Sequence, residues 1–250
     1  MSSVILTSYF SKKKHPNSPN DTSVVGRNSN GFVNKNDFSY IAPWYNSVKN
    51  LSLEGRIFHD GLTDDFVEKY STEKIKFIYA DCSSQEYSPL DYRWFCYRDF
   101  LKNNQFDSVF ISDCSDVTVV KDPSQIINKN KNFDLYVCKD SLKLGDFPYL
   151  DIHKKMNWGG TMNFMLNSKR WDLINMGVIG GSFDNVIDFL DKYYYTRTEI
   201  NEKFDQADMW VGQYVFRHLM EGKKIMVGDP FTSEFKKYEN DRKDVYFIHK

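Results

Sequence analysis

The sequence predicts an α/β fold: one mainly parallel central sheet flanked by helices. Three observations lead there. Short apolar runs alternate with helix-length amphipathic stretches through the first half of the chain, the order that puts helices in the crossovers between parallel strands. Four of those runs end in a hydroxyl or a carboxylate (Thr7, Asp60, Asp81 and Asp113), so one edge of the expected sheet collects polar groups. The chain of 250 residues is 41% hydrophobic, and no repeat, low-complexity block or linker divides it. One domain with a substantial core is therefore expected.

Val4–Thr7 reads as the first buried strand. Ser11–Asn36 is polar and contains Pro16, Pro19, Gly26 and Gly31, the make-up of a long loop or flap. Trp44, Tyr45, Val48 and Leu51 fall at helical spacing within Ile41–Leu51. Arg56–Asp60 is a second strand, and Thr63 is placed to cap a short helix over Asp64–Tyr70. Ile75–Ala80 is a third strand, ending at Asp81. Pro89 opens a helix to about Asn103 with an apolar stripe of Leu90, Trp94, Tyr97 and Leu101. Arg93 and Arg98 lie off that stripe.

Val109–Ile111 forms the next strand, and Val117–Val120 leads into a turn at Lys121-Asp122-Pro123. Strands are expected over Phe133–Cys138 and, after an irregular region through Trp158-Gly159-Gly160, over Thr161–Leu166. Ile174–Gly181 is hydrophobic yet carries three glycines, which mark either close approach of a ligand or backbone, or a bulge or tight packing contact. Ser182 is placed to cap a helix with Val186, Phe189, Leu190, Tyr193 and Tyr194 on one face. Asp205 begins a last helix with Val211, Val215 and Leu219 in a row, and Gly222 ends it. Ile225–Val227 and Val245–Lys250 complete the chain.

The charge balance, 33 basic against 34 acidic side chains for a net charge of -1, gives no reason to expect nucleic acid or an anionic membrane as partner. Cys82, Cys96, Cys114 and Cys138 are dispersed without a Cys-x-x-Cys pair, so buried free thiols in a reducing compartment are expected rather than disulfides or structural zinc. The N-terminal apolar residues reach Ser11-Lys12-Lys13-Lys14 too soon for a signal peptide, and no apolar stretch has the length of a membrane span.

The chemistry centres on Asp107-Ser-Val-Phe-Ile-Ser-Asp113-Cys-Ser-Asp116. A buried strand that delivers two carboxylates to the carboxyl edge of a parallel sheet offers oxygen ligands to a hard divalent cation, at the edge where open α/β sheets bind ligands. An Asp- and Ser-rich turn is the plainer account of the same residues. Three further features follow in order: Asn175-Met-Gly177-Val-Ile-Gly-Gly181, then Asp205-Gln206, then Tyr246-Phe-Ile-His249. In this order the chain, from Val4 to His249, resembles the GT-A class of nucleotide-sugar-dependent glycosyltransferases. It is also similar to the small soluble glycosyltransferases encoded by chloroviruses.

The resemblance implies one Rossmann-like GT-A domain over residues 1–250, with a nucleotide-binding half (about 1–120) and an acceptor-binding half (about 121–250). It implies Mn²⁺ or Mg²⁺ held by Asp113, Asp116 and His249, with Asp113 also on the donor side. Thr7, Asp60, Arg93, Asn175, Gly177 and Gln206 would contact the donor. Asp205 or Asp208 would be the acid facing the acceptor hydroxyl, and Trp158 an acceptor platform. The partners would be a nucleotide sugar, UDP-linked rather than GDP-linked by preference, and a glycan or glycoprotein. The location would be cytoplasmic, in the host if the protein is viral. The motif departs from the family's Asp-x-Asp in being Asp-x-x-Asp, which leaves open which aspartate meets the metal.

Most of these residues have a plainer reading. Asp60 suits a turn, Arg93 a surface ion pair, Asp205 a helix start, Trp158 the core, and His249 an exposed terminal position. Two other functions also fit an edge of carboxylates. A sugar-phosphate nucleotidyltransferase would show a glycine-rich basic loop after the first strand, which Thr7-Ser-Tyr-Phe-Ser-Lys lacks. A noncatalytic nucleotide- or sugar-binding module could use the same fold. Sequence does not decide between retaining and inverting transfer.

Overall fold

The computed structural model describes residues 2–16, 28, 30–146, 167–199 and 207–250. In the first half, strands β1 (Ser3–Tyr9), β2 (Glu54–His59), β3 (Ile75–Tyr79) and β4 (Ser108–Ser112) alternate with helices α1 (Phe38–Asn50), α2 (Asp64–Tyr70) and α3 (Pro89–Asn103). Each helix starts at a side-chain cap. Asp37 accepts from the Ser39 amide, Thr63 from Phe66, and Ser88 from Asp91 with Pro89 next in line. These caps satisfy amides that have no carbonyl within the helix. Asp37 also explains why α1 begins at Phe38 and not at the expected Ile41.

The second half supplies β5 (Val117–Val119), α4 (Ser124–Lys129), β6 (Leu135–Lys143), a 3-10 turn (Leu144–Asp146), β7 (Asp172–Ser182), α5 (Phe183–Glu199), α6 (Ala207–Tyr214), β8 (Ile225–Val227) and β9 (Phe247–His249). Past α6, residues Val215–Leu219 widen into a π-helical turn, closed by the Met220 amide on the Val215 carbonyl at 2.9 Å. Gly222 follows at φ +86°, a left-handed conformation suited to glycine.

Seven strands form one sheet in the order β3-β2-β1-β4-β7-β6-β8, and β5 and β9 pair as a separate ribbon. Pairs β1–β2, β2–β3, β1–β4 and β6–β8 are parallel; β7 runs antiparallel to β4 and β6. The mainly parallel α/β sheet is as expected. Because β7 is reversed, its early residues Asn175 and Gly177 lie beside the carboxyl end of β4, and the Asp113 amide donates to the Gly177 carbonyl at 2.8 Å.

Successive residues of β4 feed both faces of the sheet. Val109 and Ile111 pack with Trp94, Phe189 and Val211 on one side, while Phe110 packs with Trp44, Phe231 and Phe247 on the other. Burial on both faces is why these strands read as continuous apolar runs. The glycines of β7 mark close approach: a Cβ at Gly180 would intrude into the Phe110 ring, and one at Gly181 would stand 2.8 Å from the Asp134 carbonyl.

Several boundaries differ from expectation. β6 runs to Lys143 instead of ending at Cys138, because its pairing with β7 continues through Lys139 opposite Ile174 and Lys143 opposite Asp172, while Asp140 within it accepts from the Leu142 amide (3.1 Å) and the Asn175 side chain (3.3 Å). Ser182 ends β7, and its hydroxyl accepts from the Asn185 side-chain amide (2.8 Å) where a backbone cap was expected. The expected strand Thr161–Leu166 and the expected helix start at Asp205 lie outside the described residues. Among the described residues, no helix is long and apolar enough to cross a membrane.

Candidate metal and donor site

At the carboxyl end of β4 the chain leaves the sheet through Asp113-Cys114-Ser115-Asp116 and re-enters structure as β5. β9 pairs with β5 in antiparallel register, Val117 opposite His249, and the Lys250 amide donates to the Asp116 carbonyl at 3.1 Å. This ribbon carries His249 back to the two aspartates. Its Nε2 stands 3.6 Å from Asp116 Oδ2 and 4.0 Å from Asp113 Oδ2. Ligand atoms of the three residues all lie within 4.8 Å of one another.

The donor set fits a hard divalent cation. An octahedral ion with ligands at about 2.1 Å separates them by about 3.0 Å when adjacent and about 4.2 Å when opposite, and the two His249–aspartate spacings of 3.6 and 4.0 Å lie in that range. His249 is 1% exposed, and its Nε2 has no hydrogen-bond partner among the described residues. A buried polar atom left that way is costly unless something fills the gap. Gly177 completes the cradle: a Cβ there would overlap the His249 ring and sit 2.8 Å from Asp113 Oδ2. Two carboxylates and one imidazole suit Mn²⁺ better than Mg²⁺.

Electrostatics bind the aspartates to α3. Arg93, which the helical stripe placed to one side, is 6% exposed. It ion-pairs with Asp113 Oδ1 and, at 3.2 Å, with Asp208 Oδ2 at the start of α6. The surface ion-pair reading of Arg93 is thereby replaced by a buried one. Burial works against the Arg93 charge, but Asp113 and Asp208 outweigh it and raise its pKa. Burial raises the pKa of Asp113, assisted by the charge of Asp116 and opposed by Arg93 and His249. Burial likewise pushes Asp208 up to about 6, against the pull of Arg93. For His249, burial lowers proton affinity, while Cys138 and Asp116 more than restore it and leave the pKa raised. A cation and that proton compete for the same nitrogen.

The remaining expected residues fall into three groups. Asn175 and Gly177 stand with the metal cluster: Asn175 Oδ1 accepts from the Gly177 amide (2.7 Å), and its Nδ2 donates to Asp140 Oδ2 (3.3 Å). Thr7 and Asp60 are fully buried. The Asp60 carboxylate accepts from the amides of Ser11 (2.7 Å) and Lys12 (3.2 Å), so it holds the chain that leaves β1. Trp158, Asp205 and Gln206 lie outside the described residues. Asp140 was not anticipated, although its position after the apolar run Leu135–Cys138 repeats the pattern of Asp113 after Val109–Ile111.

No family model matches the sequence, and no curated protein matches it. Among solved structures, the chain is similar to a crystal structure of the galactosyltransferase LgtC in complex with donor and acceptor sugar analogs. That match has a TM-score of 0.54 at 11% sequence identity and covers 98% of this chain and 86% of that one. At such identity the likeness is one of fold, and it is the GT-A, Rossmann-like fold that the order of sequence motifs implies.

Proposed function

We propose that the protein is a metal-dependent glycosyltransferase that moves a sugar from a nucleoside-diphosphate donor, a UDP-sugar by preference, to a glycan or glycoprotein acceptor. The observation that carries this reading is the Asp113–Asp116–His249 cluster at the carboxyl edge of the sheet. Those three residues would hold Mn²⁺ or Mg²⁺. When bound, such an ion offsets the negative charge that grows on the leaving nucleoside diphosphate.

The chain's own residues supply the rest. Arg93, fixed between Asp113 and Asp208, is positive charge that needs no reorganisation as the leaving group departs. Asn175 and Gly177 line the same edge, on the donor side. Asp208, with a pKa of about 6, is close to the range where a carboxylate can take a proton from an acceptor hydroxyl at neutral pH. Asp205, with Gln206 beside it, is the competing candidate for that work, and Trp158 for the acceptor platform. The hexosyl nature of the transferred group and the likeness to chlorovirus enzymes rest on the sequence resemblance, and a cytoplasmic location rests on the dispersed cysteines and the make-up of the N-terminal residues.

Calorimetric titration with UDP and with GDP, in Mn²⁺, in Mg²⁺ and in EDTA, tests the proposal. One nucleotide should bind only with metal present, and Asp116→Ala should weaken that binding at least tenfold. Binding indifferent to both metal and Asp116 would return Asp113–Asp116 to the status of a turn.

A further inference from the structure

Cys138 lies at the point where β6 passes behind the metal cluster. It is fully buried, and its Sγ stands 3.4 Å from His249 Nδ1, on the opposite side of the imidazole from the nitrogen that faces Asp113 and Asp116. The same sulfur is within reach of two backbone carbonyls, Lys139 at 3.5 Å and Ser233 at 3.8 Å. A thiol has one hydrogen to give and sulfur lone pairs to accept with. Carbonyl oxygens cannot donate, so the thiol hydrogen is best used on one of them. That leaves the sulfur as acceptor for a hydrogen on Nδ1.

This assignment fixes the ring. With its hydrogen on Nδ1, neutral His249 presents the Nε2 lone pair to the carboxylates. The reverse arrangement, Sγ–H donating to Nδ1, would put a hydrogen on Nε2 and block ligation. The rest of the ring is held to match. Phe235 packs against it at 4.3 Å between centroids, and Gly177 leaves room at its edge. Ser233 Oγ accepts from the His249 amide (2.9 Å) and donates to its carbonyl (3.2 Å). Histidine ligands of metals are usually oriented by a carboxylate, a carbonyl or water on the other nitrogen, and losing that partner typically costs about 10–100-fold in metal affinity.

We infer that Cys138 is the positioning residue of the metal site, its sulfur accepting from His249 Nδ1 and so presenting Nε2 to a divalent cation. The inference rests on the proposed metal role of His249. Its test uses the whole protein and separates the two ideas. Mn²⁺ affinity, read from the electron paramagnetic resonance of free Mn²⁺, should fall about tenfold or more in Cys138→Ala and be largely restored in Cys138→Ser, whose hydroxyl can also accept.

Wild-type protein loaded with Mg²⁺ gives a second reading that needs no variant. Nitrogen-15 spectra should show Nδ1 protonated and Nε2 bare. A Cys138→Ala protein that binds Mn²⁺ as wild type does, a Cys138→Ser protein as weak as Cys138→Ala, or a bare Nδ1 would each overturn the role of Cys138 and leave the metal site standing. If wild-type protein bound no Mn²⁺ at all, the metal site itself would fall.

Discussion

A methyl group at position 177 would have to share space with the His249 ring and the Asp113 carboxylate. Gly177→Ala is therefore expected to displace one or both ligands, lowering Mn²⁺ affinity about tenfold or more and costing about 1–3 kcal/mol of stability through overpacking. Titration of Mn²⁺ by electron paramagnetic resonance checks the first effect and urea unfolding the second. Unchanged affinity would mean that the cradle yields more readily than its contacts indicate. At this scale the sequence was partly readable. The two aspartates stand out because they follow a strand buried on both faces and are succeeded, in order, by the Asn175–Gly181 and Tyr246–His249 stretches. The partners of Arg93, Asp113 and Asp208, lie 20 and 115 residues away along the chain, and His249, the ring against Cys138, lies 111 residues away. Periodicity places a residue on a face of its helix, but burial of a charge depends on counter-charges that only the folded chain supplies.

Between elements, a buried carboxylate joins α3 to α5. Asp91 is fully buried. One of its oxygens accepts from the Tyr193 hydroxyl at 2.8 Å, and the other pairs with Arg197 Nε at 3.2 Å. Asp91→Ala would remove the buried carboxylate that pairs with Arg197, and removing one member of a buried ion pair typically costs about 3–5 kcal/mol. Chemical denaturation reads that loss; a change under about 1 kcal/mol would show that the network is solvated after all. The elements themselves were legible where the apolar pattern is strong, as in β1, β4 and α3. They were less so in β6, where Lys139 and Asp140 break the apolar pattern while pairing with β7 continues to Lys143. The reversed direction of β7 was not written in its sequence, since a strand buried on both faces reads the same either way.

For the molecule as a whole, the buried carboxylates set a pH dependence. The folded pKa of Asp208, about 6, is raised above its unfolded value near 4. Its contribution to stability is therefore fully present below about pH 4 and is lost as pH rises through about 6, an amount on the order of 3 kcal/mol. In EDTA, wild-type stability should fall across that window by urea unfolding, and Asp208→Asn should flatten the fall. Parallel profiles for the two proteins would contradict the burial assigned to this group. The sheet draws its strands from both halves of the chain, so such a change is felt by the entire fold.

The ribbon of β5 and β9 has a consequence for kinetics. It joins Asp116 to His249 across well over a hundred residues of intervening chain. Closing a loop of that length is entropically unfavourable, so the three ligands meet only when most of the chain is in place. A bound cation would then stabilise the native state far more than the transition state for folding. It would act chiefly as a brake on unfolding, lengthening the life of the folded molecule while leaving the speed at which it forms almost unchanged.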